Sequence, residues 1–135
     1  MENINIKEIL DYFKSGKFDI AKKETALLIK KFPNNHFLYN LFGAISAGQK
    51  KLDESIVYFE KSIEISPNYA DAYNNLAGVL ADQKKYNKAI EYFMDGISRY
   101  PSGLFIESHM FWAAKSAEKL GRSEFAQQLY KKVTT

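Results

Sequence analysis

The sequence predicts an all-α fold made of repeated helix pairs, about four units and eight helices. Three observations predict it. The prolines Pro33, Pro67 and Pro101 fall at intervals of 34 residues. Each closes an amphipathic run and opens a Pro-Asn or Pro-Ser turn; proline cannot continue a helix, and it biases its predecessor away from helical dihedrals. Between successive prolines lie two stretches of about twelve to fifteen residues with apolar positions at helical spacing, the length of ordinary helices. A fixed spacing of helix stops points to stacked units, because one helix pair cannot bury both its faces.

The elements follow in order within a single domain spanning 1–135. The first unit, about 2–35, carries Tyr12, Gly16, Phe18, Ala21 and Pro33. The second, about 36–69, carries Tyr39, Phe42, Gly43 and Ser46 on its first helix, then Ser55, Phe59 and Pro67. Asp53 and Glu54 open its second helix, where acidic side chains oppose the positive helix terminus. The third, about 70–103, is the most regular. Tyr73, Leu76, Ala77 and Leu80 share one face, and Tyr86, Ala89, Ile90, Phe93 and Ile97 share a face of the partner helix. The fourth, about 107–135, is shifted by three extra residues within 102–106. Gly121 stands in it where Gly16 stands in the first, and Ala126, Tyr130 and Val133 follow as Ala89, Phe93 and Gly96 do in the third. Its last helix sets an apolar stripe of Phe125, Ala126, Leu129, Tyr130 and Val133 against Glu124, Gln127, Gln128, Lys131 and Lys132, the polar cover that a terminal repeat needs. Gly43, Ala77, Ala89 and Ala126 let helices approach closely, while Phe59 and Phe93 fill the space beside them, so these positions read as core.

Composition narrows the function. The 135 residues hold 46% hydrophobic side chains, no cysteine and a net charge of +3. The absence of cysteine removes disulfides, thiolate metal sites and cysteine nucleophiles. The small positive charge forms no basic stripe, so nucleic acid is not an expected partner. Lys22, Lys23, Lys30 and Lys31 lie on a second helix and read as a solvated outer face. The start lacks the basic and apolar regions of a signal peptide, and the uncharged stretch 32–49 holds Pro33, Asn34, Asn35 and Asn40, so no membrane insertion is expected and the chain reads as soluble and cytoplasmic. Phosphate loops, zinc-protease and calcium-loop patterns are missing. His36 and His109, at the starts of first helices two units apart, read as exposed or cap-adjacent rather than as a shared metal site. No cofactor, metal or catalytic residue is expected, and the chain does not read as an enzyme.

The repeated residues, from Tyr73-x2-Leu76-Ala77-x2-Leu80 through Ala89-x3-Phe93 to Pro101, resemble the tetratricopeptide repeat over nearly the whole chain. The resemblance implies a right-handed solenoid of antiparallel helix pairs whose first helices line a concave groove for a peptide or a partner helix. Carried over by position, the groove candidates are Asn3, Ile6, Lys7, Leu10 and Lys14; Phe37, Asn40, Leu41 and Ala44; Asp71, Asn74, Asn75 and Gly78; and Ser108, Phe111, Trp112 and Lys115. Asn40, Asn74 and Asn75 can each donate and accept, which suits the backbone of an extended peptide. Phe111 and Trp112 offer flat apolar area for an anchor, with packing against the preceding unit as the competing reading. Asp71 and Asn75 stand where a chaperone carboxylate clamp has basic groups, which disfavours that partner. Asn75 matches the asparagine ladder found ahead of glycosyltransferase domains, whereas Leu41 and Trp112 break it. The sequence thus predicts a non-catalytic interaction module or adaptor with a protein or peptide partner. The alternative is a substrate-recruiting or regulatory segment of a larger enzyme such as a glycosyltransferase, and self-association through the end faces is a further possibility.

Overall fold

The computed structural model describes residues 5–99 and 106–134. Eight helices make up the described regular structure: α1 (Ile6–Lys14), α2 (Phe18–Lys31), α3 (His36–Gly48), α4 (Leu52–Ile65), α5 (Ala70–Asp82), α6 (Tyr86–Arg99), α7 (Ile106–Lys119) and α8 (Ser123–Thr134). The chain is all-α, a helical repeat. The fourth repeat opens at Ile106, one residue before the expected Glu107. Asn3 and the Pro101-Ser102-Gly103 turn lie outside the described residues.

The turns inside the repeats show why the helices stop where they do. Gly16 and Gly121 have φ of 75° and 78°, and Lys50 and Lys84 both have φ of 64°. All four close the same pair of backbone bonds. The residue itself donates three positions back, as Gly16 N does to Phe13 O at 3.1 Å and Lys84 N does to Ala81 O at 2.9 Å. The next residue donates five positions back, as Lys17 N does to Tyr12 O and Lys85 N to Leu80 O, both at 2.8 Å. This double closure satisfies orphan carbonyls at the helix end and requires a left-handed residue, a conformation that costs a lysine about 1 kcal/mol and a glycine almost nothing. Between repeats a second device recurs. Tyr39 and Tyr73 donate their hydroxyls to the carbonyls of Pro33 and Pro67 at 2.8 and 2.9 Å, tying a first helix back to the turn that precedes it.

Contacts divide the chain into two compact units, Met1–Ser66 and Pro67–Thr135. In the first, each helix packs on its successor. Ile9, Ala21, Leu41 and Ile45 form a core, with Leu10, Phe13, Phe18 and Phe37 packed against it. Phe59 is buried, and its ring occupies the space that a Cβ on Gly43 would need, at 2.7 Å. The Phe18 ring does the same at Gly48, at 2.8 Å. Burying one such ring stabilises the fold by about 2–3 kcal/mol. Lys22 departs from the solvated role expected for it. Its ammonium donates to Gln49 Oε1 at 2.9 Å and to Glu54 Oε2, and sits 5.3 Å from the centre of the Phe42 ring. The aliphatic stem follows the apolar surface while the charge finds a carboxylate. That hydrogen bond holds Glu54 below the ordinary carboxylate value, so Glu54 does more than oppose a helix terminus.

In the second unit α5 packs on α6, α6 on α7, α7 on α8, and α5 also reaches α7. Ala72, Ala77, Ala89, Ala113, Ala114 and Ala117 are wholly buried, and Leu76 and Phe93 almost so. Small side chains at the crossings bring the helices close, and the larger ones seal the space beside them. Glu124, Gln127, Gln128, Lys131 and Lys132 form the exposed face of α8, opposite buried Ala126 and Leu129.

Candidate functional site

The surface of α5 that does not enter the core is a stripe of Asp71, Asn74, Asn75 and Gly78, all half-buried. Their spacing of three, four and seven places them on one face of the helix, opposite the buried Tyr73, Leu76, Ala77 and Leu80. Gly78 is unlike the glycines of the core: a Cβ built on it would meet nothing within 4 Å among the described residues. Internal packing therefore gives no reason for a residue that costs a helix interior about 1 kcal/mol relative to alanine.

On α7, which packs against α5, Trp112 is 50% exposed and Phe111 37%. Their rings meet edge to face at 5.3 Å between centroids. Phe111 also touches the Tyr130 ring of α8 at 6.0 Å, and the Lys115 ammonium lies 5.6 Å from its centre. These contacts hold the aromatic pair in place at the surface. A ring fixed in this way loses little conformational freedom when a partner covers it.

The first unit distributes its candidates differently. Lys7 and Lys14 are exposed on α1. Leu41, placed in the groove by its sequence position, is 5% exposed and belongs to the core with Ile9, Ala21 and Ile45. It gives a partner nothing to touch. Leu10 and Phe37 pack against the same core, and Asn40 is also buried. The side of α3 that sequence position assigns to a ligand is in good part covered by α1 and α2.

His109 is the residue that sequence reasoning missed. The sequence places it as exposed or cap-adjacent, yet it is 1% exposed, with its ring 6.3 Å from that of Phe93. Among the described residues neither ring nitrogen has a hydrogen-bond partner. A Cβ on Gly96 would meet the imidazole at 2.7 Å, so α6 carries a glycine where α7 brings a ring. Burial pushes the His109 pKa below its ordinary value, opposed by the charge of Asp71 on α5. The one sequence signal was the pairing of a mid-helix glycine with a ring on the next helix.

Among the described residues no group of three or more His, Asp or Glu side chains could hold a metal ion, and no helix is long and apolar enough to cross a membrane. With this geometry in view, comparison with known families finds that the model of the tetratricopeptide repeat matches residues 36–102. The chain belongs to the tetratricopeptide-repeat family. Compared with curated proteins, the sequence finds no match. Solved structures of tetratricopeptide-repeat architecture superpose well. A crystal structure of MamA aligns over 96% of this chain and 74% of its own, with a TM-score of 0.87 and 21% identity. The TPR2B domain of yeast Sti1, in complex with pHsp70, covers 83% of this chain and 92% of its own, at a TM-score of 0.79 and 23% identity. The first tetratricopeptide repeat domain of Spaghetti (RPAP3), bound to the HSP90 peptide SRMEEVD, covers 85% and 89%, at 0.77 and 17% identity. At these identities the likeness establishes the fold.

Proposed function

We propose that this chain is a non-catalytic protein-interaction module whose first helices bind a peptide or partner helix, with α5 and α7 carrying the principal contacts. The observation that carries the reading is the held but exposed Phe111–Trp112 pair on α7, which packs against α5, the helix that carries the polar stripe. An aromatic anchor on one helix and, on a helix packed against it, amides that can both donate and accept suit an extended backbone, with the ring desolvated and the amides pairing with peptide groups. Gly78 leaves room for a close approach. That the Sti1 and RPAP3 domains hold chaperone-derived chains supports a peptide as the class of occupant. Asp71 and Asn75 stand where a clamp for an acidic chaperone tail needs cations, so the peptide proposed here is not one with an acidic terminus. Lys7, Leu10, Lys14, Phe37 and Asn40 belong to the other compact unit, where of these five only Lys7 and Lys14 are exposed, and the α5 and α7 contacts proposed here do not draw on them.

Trp112 is the only tryptophan of the chain, so its emission reports on the site directly. Peptides selected from a random library should shift that emission to shorter wavelength. Trp112→Ala and Asn75→Ala should each weaken the selected peptides at least about tenfold, the usual scale for an interface anchor, without lowering the melting temperature. Peptides that bind both variants as tightly as the parent, or a library that yields no binder, would sink the reading.

A further inference from the structure

The outer faces of α2 and α4 form a matched pair. Opposite its buried Ala21 and Thr25, α2 presents Ile20, Lys23, Leu27 and Lys30, with Lys31 and Phe32 at its end. Ile20 is 43% exposed, Leu27 51% and Phe32 50%. Ile20 and Leu27 are seven positions apart, about 10 Å along one side of the helix, with lysines between and beyond them. Opposite its buried Ser55, Phe59 and Ser62, α4 presents Asp53, Val57, Glu60 and Glu64. Val57 is 63% exposed and borders a depression of about 430 Å³ that Glu60, Lys61 and Glu64 also line. Among the described residues of α4, Lys61 is the one cation on that side, and it lies 3.7 Å from Glu64.

Apart from the exposed Asp19 at the start of α2, which accepts from Gln49 Nε2 at 2.9 Å, one face is basic and apolar, the other acidic and apolar, and both belong to the same compact unit. Both helices pack against α3 and are tied to each other by the Lys22–Glu54 pair. Their outward sides therefore lie next to each other, pointing away from α3. Opposite charges placed side by side on one surface are self-complementary under a two-fold rotation, because the basic helix of one copy then meets the acidic helix of the other twice.

We propose that a second copy of this chain docks on this surface, with the α2 face of each copy seated on the α4 face of its partner. Leu27 and Ile20 cover Val57 and its depression, while Lys23 and Lys30 meet Glu60 and Glu64. Apolar contact supplies the attraction, and the charges select the partner and the register. The surface belongs to the first compact unit, whereas α5 and α7 belong to the second.

The test is sedimentation velocity of the full chain over a range of concentrations, with a charge exchange. The parent should pass from monomer to dimer as concentration rises, and less readily when salt goes from about 50 to about 500 mM. Lys23→Glu with Lys30→Glu makes both faces acidic; Glu60→Lys with Glu64→Lys makes both basic. Each variant alone should self-associate at least about tenfold more weakly than the parent, since like charges then face each other in both contacts. An equimolar mixture of the two should recover the dimer, because acidic again meets basic in both contacts. All four positions are solvent-facing, and unchanged circular dichroism and melting would show the fold intact. Leu27→Ser, a neutral change at an exposed site, should also weaken the dimer. A parent that stays monomeric, charge variants that dimerise like the parent, or a mixture no better than its components would overturn the proposal. So would a monomeric parent that co-sediments with vesicles containing phosphatidylserine, which would reassign the lysine face to an anionic lipid surface.

Discussion

At Gly43 an added methyl group would lie 2.7 Å from the Phe59 ring, whereas at Gly78 it would meet none of the described residues within 4 Å. The same substitution should therefore have opposite signs at the two sites. Gly43→Ala forces a buried ring to move and should destabilise the protein by about 1–3 kcal/mol, the range for overpacking. Gly78→Ala relieves a helix-interior glycine and should stabilise by about 0.5–1 kcal/mol. Chemical denaturation of the two variants checks both, and a loss of stability at Gly78 would show that its surroundings are tighter than described. The residue scale is also where sequence reading reached its limit. Leu41 and Asn75 hold corresponding positions in successive repeats, yet Leu41 is buried and Asn75 is half-exposed. Helical periodicity states which residues share a face, but the neighbour that covers the face is a tertiary fact. His109 was illegible for the same reason: nothing local to Ser108-His109-Met110 says that Gly96 has left a place for the imidazole.

Helix ends were readable in part. Prolines at a fixed spacing and the correspondence between Gly16 and Gly121 were enough to place the helix pairs, because each names a backbone requirement outright. Lys50 and Lys84 adopt the same left-handed turn without announcing it, since lysine is not a residue that favours positive φ. Their side chains are exposed, so the conformation is imposed by the two closing hydrogen bonds and by the helix pairing that follows. Lys50→Gly and Lys84→Gly should each raise stability, by up to about 1 kcal/mol after the greater freedom of glycine in the unfolded chain is counted. Guanidinium unfolding midpoints would show this as a rise for each change. An unchanged or lower midpoint for both would mean that the turn residues carry interactions beyond their backbone shape.

For the molecule as a whole, two groups couple folding to pH with the same sign. Burial keeps His109 below its ordinary 6.5 in the folded chain, and Lys22 keeps Glu54 below its ordinary 4.5. In each case the unfolded chain takes up a proton more readily than the folded one. The stability they contribute is fully present above the unfolded value and is lost as pH falls through the folded one. The His109 contribution begins to fade below about pH 6.5 at no more than about 1.4 kcal/mol per pH unit, the limit for a single proton. Melting temperatures taken at about pH 7.5 and about pH 5.5 should drop on acidification, and His109→Leu should flatten that difference. An equal drop in the variant would assign the effect elsewhere. The small net charge of +3 was legible from composition, but this response was not, because it depends on where one imidazole is buried.

The turns that close each helix pair have one more consequence, which concerns ancestry. In every one of the four, the left-handed residue and the one after it donate to carbonyls at the end of the preceding helix. A stretch one repeat long therefore carries its own punctuation. When a gene duplicates or loses such a stretch, the product gains or loses a helix pair whose inner turn is already closed by its own backbone. Copying errors of the right length thus yield foldable proteins, and lineages can adjust the number of repeats as readily as they adjust single residues.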